Sequence, residues 1–179
     1  MAQTKNHLKS IATRTIQEKG VNGLSFRDLA AEANIKSSSV HYYFPQKADL
    51  IYEVTKEYTD AFFQALHKID QLSKHSVERL DALLDLYKKN LPGRFCLCGM
   101  LAAESNQLDN KTKDLLSRFF VKTQKWLREV IEDLPSNGAT PAGLSSVLLS
   151  SLEGALLMDG VKGKEKYLTE VQKFIRGLV

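Results

Sequence analysis

The chain has 179 residues with an ordinary share of apolar and charged side chains, which is enough to bury a core of its own. It has no basic start followed by an apolar run and a small-residue cleavage site, so we expect no secretory leader. The longest apolar stretch, residues 144–158, contains four serines and a glutamate and is expected to be too short and too polar to span a bilayer. The composition therefore predicts a soluble cytoplasmic protein.

The net charge of +4 is concentrated at the N-terminus. Residues 1–47 carry seven basic and three acidic side chains, whereas the rest of the chain carries 18 of each. A basic head on a neutral body is typical of nucleic-acid binding, although chance clustering of solvated charges would give the same count.

Hydrophobic periodicity predicts an all-α chain of about nine helices. The first covers residues 3–19 and ends at Gly20. A second, two-turn helix follows Ser25, a good N-cap residue, and ends near Asn34, which tolerates a left-handed turn. Ser37 or Ser38 is expected to cap the third helix, which ends before a proline.

Six more helices are predicted in the rest of the chain. They cover approximately residues 47–71, 76–90, 95–104, 110–134, 141–159 and 164–176, with Thr140 and Pro141 as a strong start signal for the fifth of them. We predict two domains, a helix-turn-helix DNA-binding domain at 1–46 and a larger helical domain for ligand binding and dimerisation at 47–179.

Residues 25–47 have the pattern of a helix-turn-helix, whose second helix enters the major groove. Three serines open that helix, where backbone N–H groups also favour phosphate, and aromatic residues follow. We expect Tyr42 and Lys47 to contact phosphates and some of the others to contact bases. The predicted DNA-binding residues are Arg27, Lys36, Ser37, Ser38, Ser39, His41, Tyr42, Tyr43 and Lys47.

Residues 8–54 resemble the DNA-binding domain of the TetR family of bacterial transcriptional regulators. The resemblance is carried by SFRDLA (25–30), ANIK (33–36) and SVHYYFPQK (39–47). His41 stands where the family usually has tyrosine, and Ser38 where it often has glycine. Residues 94–104 are also similar to the start of the pocket-lining helix in some members. The resemblance implies a homodimer whose C-terminal body binds a small molecule and thereby releases a palindromic operator.

Two cysteines, Cys96 and Cys98, leave three interpretations open. A metal site needs three or four ligands, and no second cluster of cysteine or histidine is near in sequence. His67 and His75 could join the cysteines only through folding, so no metal is expected. A thiol or electrophile sensor needs an accessible thiolate. Packing as small buried hydrophobes is the commonest role of such cysteines.

Several side chains of the body could line a ligand pocket, although each could equally belong to the core. Two carboxylates among them could orient a ligand, or could be solvated or paired. The predicted pocket residues are Tyr87, Met100, Leu101, Glu104, Phe119, Phe120, Trp126 and Glu153.

Small side chains recur along one side of the helix that follows Pro141. With the apolar face of the last helix they suit a four-helix dimer interface, and close packing within one chain is the alternative. The predicted interface residues are Gly143, Ser146, Ser150, Gly154, Tyr167, Val171 and Phe174.

The sequence thus predicts a dimeric transcriptional repressor that a small-molecule ligand releases from DNA. It shows no catalytic constellation and no phosphate-binding glycine loop, so neither enzyme activity nor a cofactor is expected. Two alternatives stay open: a thiol- or electrophile-sensing regulator acting through Cys96 and Cys98, and a helical ligand-binding protein or enzyme with a vestigial helix-turn-helix.

Overall fold

The computed structural model describes residues 2–89, 93–135, 138–162 and 164–177. These residues form nine α-helices, two short 3₁₀ turns (Val21–Gly23 and Ser105–Gln107) and no strand, which confirms the predicted fold class. The helices are α1 Ala2–Lys19, α2 Phe26–Glu32, α3 Ser37–Tyr43, α4 Lys47–Leu72, α5 Ser76–Lys88, α6 Leu97–Ala103, α7 Asn110–Val130, α8 Pro141–Lys162 and α9 Lys166–Arg176.

The contacts divide the chain into two compact units. Unit 1 consists of the residues up to Ala61 together with Leu97–Ser117, and unit 2 of Phe62–Cys96 and the residues from Arg118 onwards. Helices α4 and α7 each contribute residues to both units. The assignment of DNA binding to 1–46 and of ligand binding and dimerisation to 47–179 stays a prediction.

Apolar residues of α1, α2, α3 and α4 form the core of unit 1. Two ion pairs join α1 to α4, Lys5 with Glu53 at 2.8 Å and Lys9 with Glu57 at 2.7 Å. The Lys5 ammonium also lies 5.2 Å from the centre of the Phe44 ring. The side chains at the centre of this unit are Leu8, Ile16, Leu29, Val40, Phe44 and Leu50, none more than 2% exposed.

The turn between α2 and α3 is a Schellman motif. Ile35 N donates to Ala30 O at 3.0 Å, Asn34 N donates to Ala31 O at 3.1 Å, and Asn34 has the predicted positive φ of 54°. The predicted serine cap of α3 is wrong. Lys36 is the N-cap residue, without a side-chain cap bond, because the chain is already helical at Ser37.

Unit 2 contains a cluster of five aromatic residues from α4, α5 and α7. The Phe62 ring lies 5.0 Å from that of Phe119 and 6.3 Å from that of Tyr87, in edge-to-face geometry. Phe63 and Phe120 extend the cluster, with centroids 5.7 Å and 5.2 Å from Phe119. This cluster, which we call the aromatic cluster, forms a large apolar surface inside unit 2.

Helices α7, α8 and α9 differ at their ends from the prediction. Helix α7 ends at Val130 rather than near residue 134, α8 continues to Lys162 rather than 159, and α9 begins at Lys166 rather than 164. The predicted end of α5 at Asn90 lies outside the described residues.

Helix α8 is longer and more continuously apolar than the sequence suggested. Pro141–Val161 is long and apolar enough, by length and composition alone, to cross a membrane, and 44% of that stretch is buried in the protein. The expectation that this region is too short to span a bilayer considered only residues 144–158, and the apolar helix is longer than that. A core helix of a globular protein has the same composition when its outer face is also apolar.

Candidate nucleic-acid interface

Helix α3 is fixed to the rest of unit 1 by its apolar side. Val40 and Phe44 are both 0% exposed, and they are four residues apart, so they lie on the same face of the helix. Helix α2 supports α3 from behind and is itself capped by Ser25, whose Oγ accepts from Asp28 N at 3.1 Å. The opposite side of α3 is thereby presented to solvent on a rigid support.

That outer surface contains most of the predicted DNA-binding residues. Tyr42 is 72% exposed, and six of the nine predicted residues are exposed. The exposed members are Arg27, Lys36, Ser37, Ser38, His41 and Tyr42, and the half-buried ones are Ser39, Tyr43 and Lys47.

Two ring contacts restrict the aromatic side chains of α3. The His41 ring lies edge-on to Phe26 of α2, with centroids 4.9 Å apart. Tyr42 makes a similar contact with Tyr43 at 5.2 Å. Packing of this kind limits the rotamers of side chains that must meet a groove in a defined geometry.

Ion pairs neutralise part of the N-terminal basic excess. Lys5, Lys9 and Arg14 pair with Glu53, Glu57 and Glu32 respectively. The sequence count alone therefore overstates the positive field of this region, because two of these carboxylates follow residue 47. The positive charge closest to α3 in sequence is Lys36, exposed at its N-cap.

Lys47, at the start of α4, is held within unit 1. Its Nζ donates to Val21 O at 2.6 Å. Burial lowers the pKa of Lys47, and the neighbouring Glu104 carboxylate opposes that shift. The structure thus gives its ammonium an internal partner, and its contact with phosphate stays a prediction.

Glu104, a predicted pocket residue, lies in unit 1 at the end of α6. Its carboxylate accepts from Val21 N and, at 3.1 Å, from Asn22 Nδ2. Gly20 has φ of 72°, and a Cβ at that position would lie 2.7 Å from Glu104 Oε2. The connector, Gly20–Gly23, is therefore held by hydrogen bonds from both Glu104 and Lys47, a feature that sequence reasoning missed.

The other predicted pocket residues fall in both units. Met100 and Leu101 belong to α6 in unit 1, whereas Phe119 and Phe120 belong to the aromatic cluster of unit 2. In unit 2, Trp126 Nε1 donates to Asp70 at 3.0 Å, and Arg79 donates to the same carboxylate. The structure therefore does not bring the whole predicted set together in one unit.

Two of the predicted pocket residues are in direct contact inside unit 2. Tyr87 Oη donates to Glu153 Oε1 at 2.9 Å, which joins α5 to α8. Burial raises the pKa of Glu153, and hydrogen bonds from Tyr87 and Cys96 oppose the rise. Cys96 and Cys98 are 4% and 0% exposed, and the described residues contain no group of three or more side chains suited to a metal ion.

Five of the seven predicted interface residues line an open groove of about 540 Å³ between α8 and α9. Gly143 lies outside the groove lining and is exposed, and Phe174 is 50% exposed. Both helices carry exposed apolar residues, namely Val147, Leu157, Met158, Val161 and Tyr167, and three of these (Val147, Met158 and Tyr167) line the groove. The predicted residues that line the groove are Ser146, Ser150, Gly154, Tyr167 and Val171.

A short, exposed, polar helix seated on a supporting helix across a tight turn defines a helix-turn-helix DNA-binding protein. The family model of bacterial regulatory proteins, tetR family, matches residues 10–54, which cover α1 from Ser10 through the first residues of α4. The match includes all the predicted DNA-binding residues.

Full-length comparisons agree with this match. The chain is 25% identical over 165 residues to the HTH-type transcriptional repressor DhaR of Mycobacterium sp. (strain GP1), covering 88% of this chain and 83% of DhaR. A TetR transcriptional regulator from Legionella pneumophila is 29% identical, with a TM-score of 0.88 over 98% of this chain and 96% of that one. A TetR-family regulator from Agrobacterium tumefaciens has the same fold, with a TM-score of 0.90 at 20% identity over 97% and 96% of the two chains.

The chain is a DNA-binding transcriptional regulator of the TetR type, and residues 10–54 carry the match to the family's own model. The resemblance carried by residues 25–47 is confirmed.

Proposed function

We propose that this regulator is a homodimeric repressor that binds a palindromic operator and leaves it when a small molecule binds in unit 2. The observation that carries the proposal is the exposed polar face of α3, fixed by the buried Val40 and Phe44. The relative from Mycobacterium sp. is named a transcriptional repressor, which favours repression over activation. We expect the protein to act in the cytoplasm, where its DNA is, and to have no catalytic activity.

The exposed apolar groove between α8 and α9 supports dimerisation. Small residues at Ser146, Ser150 and Gly154 allow another helix to approach closely, and Tyr167 and Val171 supply apolar surface beside them. A second copy would bury the same surface on both chains, as a two-fold interface requires. Two copies of α3 would then face two half-sites of one operator.

Contacts inside unit 2 support an effector site there. The Tyr87–Glu153 hydrogen bond places two polar groups beside the aromatic cluster, and convergent polar groups on an apolar surface are typical of ligand sites. A thiol-sensing trigger remains the alternative, but the burial of Cys96 and Cys98 does not favour it. Replacing both cysteines with serine while induction persists would exclude that alternative.

The DNA-binding part is tested by removing one hydroxyl from α3. Tyr42→Phe is expected to weaken binding about fivefold on every DNA sequence, since a lost phosphate hydrogen bond is worth about 1 kcal/mol. Tyr52→Phe is the matched control, because Tyr52 is a half-buried residue of α4 whose ring lies 3.7 Å from Lys111 Nζ. Equal affinity of Tyr42→Phe and wild type in fluorescence anisotropy would refute the assignment of Tyr42.

A further inference from the structure

Glu153 is a half-buried carboxylate that has no ion-pair partner among the residues that the structure describes. Its pKa is raised by burial and lowered only by hydrogen bonds from Tyr87 and Cys96, and no lysine, arginine or histidine of the described residues contributes. The facing titratable groups are thus a phenol from α5 and a thiol from the segment before α6. The ionised form of a carboxylate in such surroundings is disfavoured unless a cation compensates its charge.

The side chain of Glu153 is nevertheless half-buried rather than closed off. Its two partners, Tyr87 and Cys96, are 2% and 4% exposed, whereas Glu153 keeps part of its residue surface accessible. A neutral acceptor, such as a glutamine side chain, could hold the Tyr87 hydroxyl equally well and would cost less free energy to desolvate than the Glu153 carboxylate. The arrangement leaves acceptor capacity on Glu153 for a further donor.

Aromatic rings pack beside this carboxylate. The Tyr87 ring is 6.3 Å from Phe62, which contacts Phe119 at 5.0 Å. Faces of such rings carry partial negative charge and attract cations. The cluster already binds one ammonium at its edge, because Lys122 Nζ lies 5.5 Å from the centre of the Phe63 ring.

We propose that the effector of this regulator is an organic cation, a protonated amine or quaternary ammonium on an apolar body, whose charge is bound by Glu153 beside the aromatic cluster. This inference rests on the proposed function, which places an effector site in unit 2. An anionic ligand is disfavoured because it would face an acidic group with no basic partner. Cation binding stabilises the ionised form of Glu153, so a protein that holds the proton beforehand releases it on binding.

Calorimetric titration with benzyltrimethylammonium tests this directly, because that cation has no proton of its own. Neopentylbenzene, in which carbon replaces the charged nitrogen, is the neutral probe of the same shape. Wild type is expected to bind the cation about tenfold or more tightly than the neutral probe. The free-energy penalty of an uncompensated buried charge exceeds the free energy that corresponds to a tenfold difference in affinity. Its binding enthalpy should depend on the buffer, as proton release requires.

Glu153→Gln keeps an acceptor for Tyr87 but removes the charge. It is expected to lose the preference for the cation and the proton release, whereas Glu132→Gln, at an exposed position outside the helices, should behave as wild type. Equal binding of the two probes by wild type, unchanged cation binding by Glu153→Gln, or no binding of the cation would each overturn the proposal.

Operator binding separates this proposal from the one on which it rests. If wild type and Glu153→Gln both bind operator DNA while the cation has no effect, only the ligand class is wrong. If wild type selects no operator at all, the proposed function itself fails. A role of Glu153 in stability alone would lower the melting temperature of Glu153→Gln without changing the ratio of the two probe affinities.

Discussion

Glu104 fixes the connector between α1 and α2 through hydrogen bonds to Val21 N and Asn22 Nδ2. The chain can approach this carboxylate only because Gly20 has no side chain and adopts φ of 72°. Lys47 completes the arrangement by donating to Val21 O. The placement of α2, and through it of α3, therefore depends on a residue that follows the connector by more than 80 positions.

Glu104→Ala is expected to lower the free energy of unfolding by about 1–3 kcal/mol, because it leaves the partly buried Val21 N–H without its acceptor. Glu132→Ala is the exposed control and should change stability by less than about 0.5 kcal/mol. Urea denaturation measures both. A Glu104→Ala protein as stable as the control would show that the connector does not need this carboxylate.

Glu153 is expected to make stability fall as pH rises. Burial raises its pKa above the ordinary glutamate value of 4.5, so the folded protein binds this proton more tightly than the unfolded chain does. Stability is then unaffected at pH values below 4.5 and is lost progressively as the pH rises from there through the folded pKa. The melting temperature of Glu153→Gln, relative to that of wild type, should therefore increase as the pH rises over this range. A constant difference between the two proteins would contradict the shift.

Local chemistry made several of these residues predictable. The cap at Ser25, the left-handed Asn34 and the N-cap at Thr140, whose Oγ1 accepts from Gly143 N at 3.1 Å, each depend on neighbours within a few positions. The hydrogen bonds of Glu104 to the connector depend on the tertiary fold, and no pattern in a single sequence predicts them. For the same reason the sequence could not predict that Lys47 donates to Val21 O.

At the scale of elements, Asp159 joins α8 to the beginning of α9. It is 2% exposed, and its two carboxylate oxygens accept from Tyr167 N at 2.9 Å and Leu168 N at 2.8 Å. These N–H groups belong to the first turn of α9 and have no acceptor within their own helix. A carboxylate there also stabilises the positive end of the helix dipole.

Asp159→Ala is expected to cost about 1–2 kcal/mol of stability and to increase hydrogen exchange at the first turn of α9, because it removes the cap. Asp133→Ala, at an exposed site between α7 and α8, is the control. Hydrogen exchange followed by mass spectrometry reads out the helix directly. Equal protection of α9 in the two variants would refute the capping role.

The number and order of helices followed from periodicity, and their exact ends did not. Capping boxes and proline mark where α2 and α8 begin, so those starts were predicted correctly. The start of α9 depends on Asp159 from α8, which is a tertiary contact. The start of α3 was placed too late because the Schellman turn at Asn34 brings Lys36 into the cap position.

At the scale of the whole molecule, the apolar stripe on α8 and α9 favours a pair of chains. Val161 is 76% and Phe174 50% exposed, and several apolar neighbours are exposed with them. Contiguous apolar surface of this kind marks an interaction site in a soluble protein. A dimer would also account for the apolar composition of α8, which its contacts within one chain satisfy only in part.

Phe174→Asp is expected to convert the dimer into a folded monomer, because it places a charge in an apolar interface. Leu72→Asp makes the same substitution at a residue that is 85% exposed and lies at the end of α4, and it should leave the dimer intact. Light scattering coupled to size exclusion gives the mass, and circular dichroism verifies the fold. A Phe174→Asp protein that remains dimeric would place the interface elsewhere.

The central claim is that α3 reads a palindromic operator, and selection of bound duplexes from a random DNA pool by the wild-type protein tests it most directly. The account predicts enrichment of one two-fold symmetric sequence, with log affinity for it falling linearly as log salt rises because phosphate contacts release counterions. Ser38→Ala, an exposed change on α3, should alter the enriched half-sites, whereas Ser117→Ala, an exposed change on α7, should not. Recovery of no common sequence by the wild-type protein would contradict the account.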